Sequence, residues 1–144
     1  MKEQNYSNHT QLVPGFHFVT YLAAITAFVL SVIHLIRSFE TGRWLYRGLL
    51  PFLVCTVLLL LCWYSRAFAL KAQDRAIRAE ESLRYFILTG KPLPLGLRVS
   101  QIVALRFASN DEFVQLVQRA SGENLSSKQI KQSIKNWRAD YYRV

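Results

Sequence analysis

Residues 64–86 read YSRAFALKAQDRAIRAEESLRYF. The segment starts at the end of an apolar run and then carries a dense field of charges without losing the composition of a helix. Ala, Leu, Gln, Glu, Lys and Arg dominate, and no Gly or Pro appears between Arg66 and Gly90. Asp74 stands four residues before Arg78, and Glu80 four before Arg84, the order that favours ion pairs on a helix surface. Leu70, Ile77, Leu83, Phe86 and Ile87 recur as an apolar stripe. The pattern predicts one helix from about Pro51 to Leu88, ~57 Å long at ~1.5 Å per residue. A hydrocarbon core is ~30 Å thick, so ~25 Å of that helix would project beyond a bilayer. The projecting part reads as a coupling rod or partner surface, or as a stalk covered by the chain's own C-terminal part.

Toward the N-terminus the chain is far more apolar. Val13–Ile36 contains no Asp, Glu, Lys or Arg, and Leu49–Tyr64 is a second such run, extendable to Leu70 if Arg66 reaches out to headgroups. Apolar residues make up 51% of the 144, high for a small soluble fold. The first run is too long and uniform for a buried bundle helix, and LVCTVLLLLCW (53–63) is apolar on every face. Two membrane spans joined as a hairpin are therefore expected. A cleaved signal peptide fits poorly, because the N-terminus is only weakly basic, the apolar core is long and no A-x-A site follows it. Cys55 and Cys62 are seven residues apart on one helix face. At ~10 Å apart they are too distant for a disulfide and read as small buried apolar residues, with an intermolecular bond or metal site as the alternative.

Lys and Arg near the spans orient the hairpin. The connection 37–48 holds Arg37, Arg43 and Arg47, whereas the flanks hold Lys2, Arg66, Lys71, Arg75, Arg78 and Arg84. That balance places both termini in the cytoplasm and 37–48 outside. Trp44, Tyr46, Trp63, Tyr64 and Arg66 fall where membrane interfaces are expected. Ala23, Ala27 and Ser31 recur every four residues and form a candidate packing stripe, for the second span or for another copy. His17 and His34 are ionisable groups at membrane depth and so candidate cofactor ligands. Seventeen residues of helix separate them by ~25 Å, so they cannot share one metal or haem within a chain.

TGKPLPLG (89–96) is a turn-rich break. Three short helices are expected beyond it. The first covers about Arg98 to Ala108. The second opens at Ser109 with a Glu112 capping box, buries Phe113, Leu116, Val117 and Ala120, and ends at Gly122. The third opens at Ser126 with Gln129, uses Leu125 and Ile130 as a hydrophobic staple, and presents Ile130, Ile134 and Trp137 as its apolar face. So short a unit cannot hold a robust core alone and is expected to pack on the rod, another copy or a partner.

The net charge is +9, and after Arg66 thirteen Lys or Arg stand against seven Asp or Glu. Lys128, Lys131, Lys135, Arg138 and Arg143 form a candidate basic contact surface for lipid or protein. Trp137, Tyr141 and Tyr142 beside these cations keep nucleic acid as a weaker alternative. No His or Cys follows Leu70, and no phosphate loop, metal-ligand cluster or nucleophile–base pair is visible in the sequence. No catalytic residue, metal or cofactor is therefore expected.

Four blocks, QNYSNHTQLVPGFHF (4–18), RAFALKAQDRAIRAEESLR (66–84), LRFASNDEFVQLVQRA (105–120) and IKNWRADYYRV (134–144), resemble a family of small uncharacterised bacterial inner-membrane proteins. The resemblance implies a bacterial two-span membrane protein and carries no catalytic or binding residues.

The expected fold is an all-α membrane protein. A polar tail (1–12) leads into a transmembrane hairpin (13–70, spans 13–36 and 49–70). Then come a cytoplasmic extension of the second helix (71–88), a linker (89–97) and a basic helical unit (98–144). The expected function is a non-enzymatic, membrane-anchored interaction protein, an accessory subunit or assembly factor of a larger complex. Its partners are lipid and either another protein or further copies of the chain. The alternative is a redox or metal-carrying membrane subunit using the intramembrane His and Cys.

Overall fold

The computed structural model describes residues 4–8, 12–42 and 44–140. Lys2, Arg43, Tyr141, Tyr142 and Arg143 lie outside the described residues, so the roles assigned to them above are not placed. The described chain is all-α: α1 (Tyr21–Glu40), α2 (Leu50–Thr89), α3 (Val99–Leu105), α4 (Asn110–Gly122) and α5 (Ser127–Ser133). A lone antiparallel bridge joins Ala108 and Trp137. The chain divides into two compact units, Leu12–Ala69 and Leu70–Val144 with the N-terminal segment.

In the first unit, each long helix opens with a π-helical turn, Gly15–Thr20 before α1 and Leu45–Leu49 before α2. Pro51 is thus the second residue of α2 and follows helical chain, rather than starting a helix. Its missing N–H follows directly on a wide turn that already departs from the i→i−4 ladder, which is where proline disturbs a helix least.

Tyr21, Ala24, Phe28, Ser31, Leu35 and Ser38 of α1 lose exposure in an alternation of three- and four-residue steps, with Val32 beside Ser31 also half-buried. Gly48, Phe52, Cys55, Leu59, Cys62 and Arg66 answer them with the same alternation. Phe28 and Phe52 meet at 5.7 Å between ring centroids, and Tyr21 Oη donates to the Cys62 carbonyl at 3.3 Å. The buried hydroxyls of Ser31 and Ser38 donate to Phe28 O and His34 O in their own helix, so neither is left unpaired.

Of the expected packing stripe only Ser31 is buried; Ala23 and Ala27 are exposed. A four-residue repeat drifts ~40° per step around a 3.6-residue helix and suits a right-handed crossing, whereas the buried positions here alternate three and four. The seam follows the heptad instead. It is tight at Gly48, where an added Cβ would lie 2.9 Å from Leu35 Cδ1, 3.0 Å from Ser38 Cβ and 3.1 Å from Leu35 Cα. The last contact is to backbone and cannot be relieved by a rotamer change. Gly48→Val is expected to cost about 1–3 kcal/mol. In detergent it should lower the Tm of the hairpin, with Gly48→Ala intermediate; an unchanged Tm would contradict this packing.

In the second unit, α2 ends at Thr89, and Gly90 takes the left-handed conformation (φ 68°) with its N–H on Phe86 O. Tyr85 of α2 joins Ile102, Leu105, Phe107, Phe113, Val117 and Ile130 in one core, so α3–α5 pack on α2. The stripe read from the sequence splits between two faces. Ile77 is buried, as are Glu81 and Tyr85, whereas Leu83, Phe86 and Ile87 are 54–72% exposed. Gln4, from the N-terminal segment, brackets Asp140: its Oε1 accepts from Asp140 N at 2.8 Å and its Nε2 donates to Asp140 O at 3.4 Å.

Several details differ from the sequence reading. Helix α3 stops at Leu105, short of Ala108. Ser109 caps α4 by backbone geometry, but its Oγ makes no capping bond. Glu112 does not return to Ser109; its carboxylate accepts from Lys135 N and Asn136 N, both at 3.0 Å, and so holds the strand-like tail. At the other end of α4, Gly122 is still helical and Asn124 takes the positive φ of 49°. Helix α5 has the expected Ser126–Gln129 capping box, yet it ends at Ser133 because Ile134 is extended (ψ 123°). Trp137 therefore leaves the helix face and packs on Phe107 at 5.1 Å.

Gln101 was not singled out in the sequence, yet it is 1% exposed and ties three elements together. Its Oε1 accepts from Arg98 N (2.7 Å), while its Nε2 donates to Leu125 O (2.8 Å) and Ala120 O (3.3 Å). Gln101→Leu would strand those groups and is expected to cost about 1–3 kcal/mol. Hydrogen exchange should then speed up at the α3 N-terminus and the 120–126 connection; unaltered exchange there would contradict the clamp.

Candidate functional site

The second unit carries a pair of clefts that share Glu80, Glu81 and Arg138. The larger, about 690 Å³, runs between the Leu83–Ile87 side of α2 and Ser109–Asn110 at the start of α4. The smaller, about 500 Å³, is bordered by Gln73, Ile77, Arg106 and Asp140.

Helix periodicity builds the floor. Ile77, Glu81 and Tyr85 are four residues apart and share the face covered by α3–α5, so Glu81 is 5% exposed while its neighbour Glu80 is open to solvent. Arg84 Nη1 pairs with Glu81 Oε2 at 3.0 Å, and the Arg138 guanidinium approaches Glu81 Oε1 at 4.0 Å. Arg84 also donates to Asn110 Oδ1 (2.8 Å) and Ala108 O (2.7 Å) and lies 4.1 Å above the Phe113 ring. Its partner is thus Glu81 rather than the expected Glu80. Five donors in a planar fork let one guanidinium satisfy a buried carboxylate and a buried carbonyl together. Asp74 and Arg78 form no ion pair among the described residues.

Arg106 repeats the design nearby. It is 9% exposed, pairs with Asp140 at 3.3 Å, and rests 4.7 Å above Phe107. Both buried cations are therefore matched by a carboxylate and seated on an aromatic face. The principal charged groups of the floor are engaged with one another.

Four residues of the expected basic surface fall among the described residues. Lys128 and Lys135 are exposed, Lys131 lies over the Phe107 ring at 5.7 Å, and Arg138 turns toward Glu81. A helix running through Trp137 would continue past Lys135, but α5 ends at Ser133. The expected interface residues lie in the first unit: Trp44 stacks on Phe39 at 5.2 Å, Tyr64 on Phe68 at 5.7 Å, Tyr46 and Trp63 are 81% and 66% exposed, and Arg66 is half-buried. His17 sits in the first π-turn, where Val13 N donates to its Nδ1 at 3.1 Å; His34 is exposed on α1. Cys55 and Cys62 are free and half-buried. Among the described residues no three His, Cys, Asp or Glu side chains come together as a metal site.

Two helical stretches, Gly15–Glu40 and Leu45–Thr89, are long and apolar enough to cross a membrane, and only 6% of the apolar window in each is buried. A core helix of a soluble protein would be largely covered. No curated protein and no solved structure matches the chain. One family model does, over residues 1–144, and the chain belongs to that family of unknown function, DUF6526.

Proposed function

We propose that the protein is a non-enzymatic, membrane-anchored interaction protein, an accessory subunit or assembly factor of a larger complex at the bacterial inner membrane. The observation that carries this reading is the bareness of the two apolar helices combined with the continuity of α2. A helix whose first half offers almost only uncovered apolar surface continues unbroken into a packed unit with its own core. Lipid is the solvent that removes the cost of that surface.

The aromatic residues support the same reading. Tyr46 and Tyr64 are separated by ~27 Å of helix, close to the ~30 Å of a hydrocarbon core. Gln4 precedes the first apolar helix and Asp140 follows the second, and they are hydrogen-bonded within one compact unit. That bond supports the reading in which residues 4 and 140 lie on one side, as two spans require. Lys71, Arg75, Arg78 and Arg84 on that side favour the cytoplasm.

In vivo cross-linking followed by mass spectrometry tests the reading. Cross-links from the 70–140 unit to a different membrane protein are the expected result. Recovery of only this chain and lipid would refute the role in a larger complex.

A further inference from the structure

We propose that a second copy of this chain pairs in parallel with α2 through the exposed face Ala72, Ala76, Ala79, Leu83 and Phe86. These residues are all exposed, and they lie opposite Ile77, Glu81 and Tyr85, the face that α3–α5 cover. Their spacing of four, three, four and three residues is a heptad seam, with Ala76 and Leu83 at a and Ala72, Ala79 and Phe86 at d. Three alanines allow close approach of two backbones, and Leu83 and Phe86, 60% and 54% exposed, supply apolar area at the end of the seam.

Charge selects the occupant and its direction. In this register Arg75 takes a g position and Glu80 the e position five residues later, the relation that joins neighbouring helices in a parallel pair. Both side chains are exposed, and neither forms an ion pair within the chain among the described residues. A twofold parallel pair therefore makes the Arg75–Glu80 contact twice. An antiparallel pair would bring g to g and e to e, setting like charges together. The pairing rests on the membrane reading in one respect: two copies anchored through the same hairpin must run α2 in the same direction. Confinement to one membrane also raises the effective concentration of a modest seam.

Disulfide trapping in native membranes tests it, in full-length protein with Cys55→Ala and Cys62→Ala. Single substitutions Ala76→Cys, Ala79→Cys and Leu83→Cys should give disulfide dimers as the major oxidised species. Arg78→Cys, about 140° away from the seam around the helix, should give severalfold less. Adding Glu80→Arg to Ala76→Cys should cut the dimer severalfold, and adding Arg75→Glu to that variant should restore it. Dimer yields at 78 equal to those at 76, no dimer at any seam position, or failure of the charge exchange would each overturn the pairing. Carbonate extraction of the same membranes separates the two claims. Release of the chain refutes the anchor, whereas a retained chain without the 76–76 bond refutes the pairing alone.

Discussion

Phe113→Ala is expected to unfold the 70–140 unit while leaving the apolar hairpin intact. Phe113 is 0% exposed, meets Tyr85 edge-on at 6.3 Å between centroids, and carries the Arg84 guanidinium on its ring. It is the point where α4, α2 and the charged floor converge. Truncating a buried Phe costs about 3–5 kcal/mol, and a domain has only about 5–15 kcal/mol in total. A core this small sits at the low end of that range. Limited proteolysis of membranes should cleave the 90–140 region of Phe113→Ala rapidly, with Phe113→Leu close to wild type. Equal protection of wild type and Phe113→Ala would show that the core is not organised around this ring.

The second large effect is expected at Glu81. Its side chain is 7% exposed and faces Arg84 at 10% exposed. Removing one partner of a buried pair costs about 3–5 kcal/mol because the other charge is left uncompensated. Arg84 keeps its bonds to Asn110 and Ala108, which moves Glu81→Leu toward the lower figure. Replacing both residues, as Glu81→Leu with Arg84→Met, is expected to recover most of the loss, since apolar pairs of similar volume replace buried ion pairs at little cost. Urea unfolding in detergent, followed by Trp137 fluorescence in a Trp44→Phe, Trp63→Phe background, gives the four corners of the cycle. Additive losses would contradict a coupled pair.

The elements were legible in the sequence because each depends on local chemistry. Charge-free runs mark the apolar helices, and the absence of Gly and Pro from Arg66 to Thr89 marks the continuation of α2. Ser126 and Gln129 announce the start of α5 because both capping partners are local. What was not legible is which face meets which. In a helix apolar on every side, hydropathy cannot choose the seam, and Gly48 with Ser31 and Ser38 decided it rather than Ala23 and Ala27.

The candidate site was visible only as an inventory of charges. Four-residue spacing pairs Asp74 with Arg78 and Glu80 with Arg84, whereas Arg84 takes Glu81, three residues before it. A usable signal was nonetheless present: Glu81 falls midway between Ile77 and Tyr85 on a four-residue spacing, so covering those two must cover it as well. The true partners of Glu112, read from the sequence as a cap for Ser109, and the role of Gln101 escape the sequence for a related reason. The partners, Lys135 and Asn136 for Glu112 and Ala120 and Leu125 for Gln101, are distant in sequence and exist only once the helices pack.

The central claim is that two apolar helices anchor the chain with the 70–140 unit on one side of the membrane. Single cysteines at Glu40 and Leu95, in the Cys55→Ala, Cys62→Ala background, test it with a membrane-impermeant maleimide. Leu95 is 99% exposed in the second unit, and Glu40 is exposed at the end of α1. Leu95→Cys should label only in inside-out vesicles and Glu40→Cys only in right-side-out cells. Labelling of both from the same side would contradict the account.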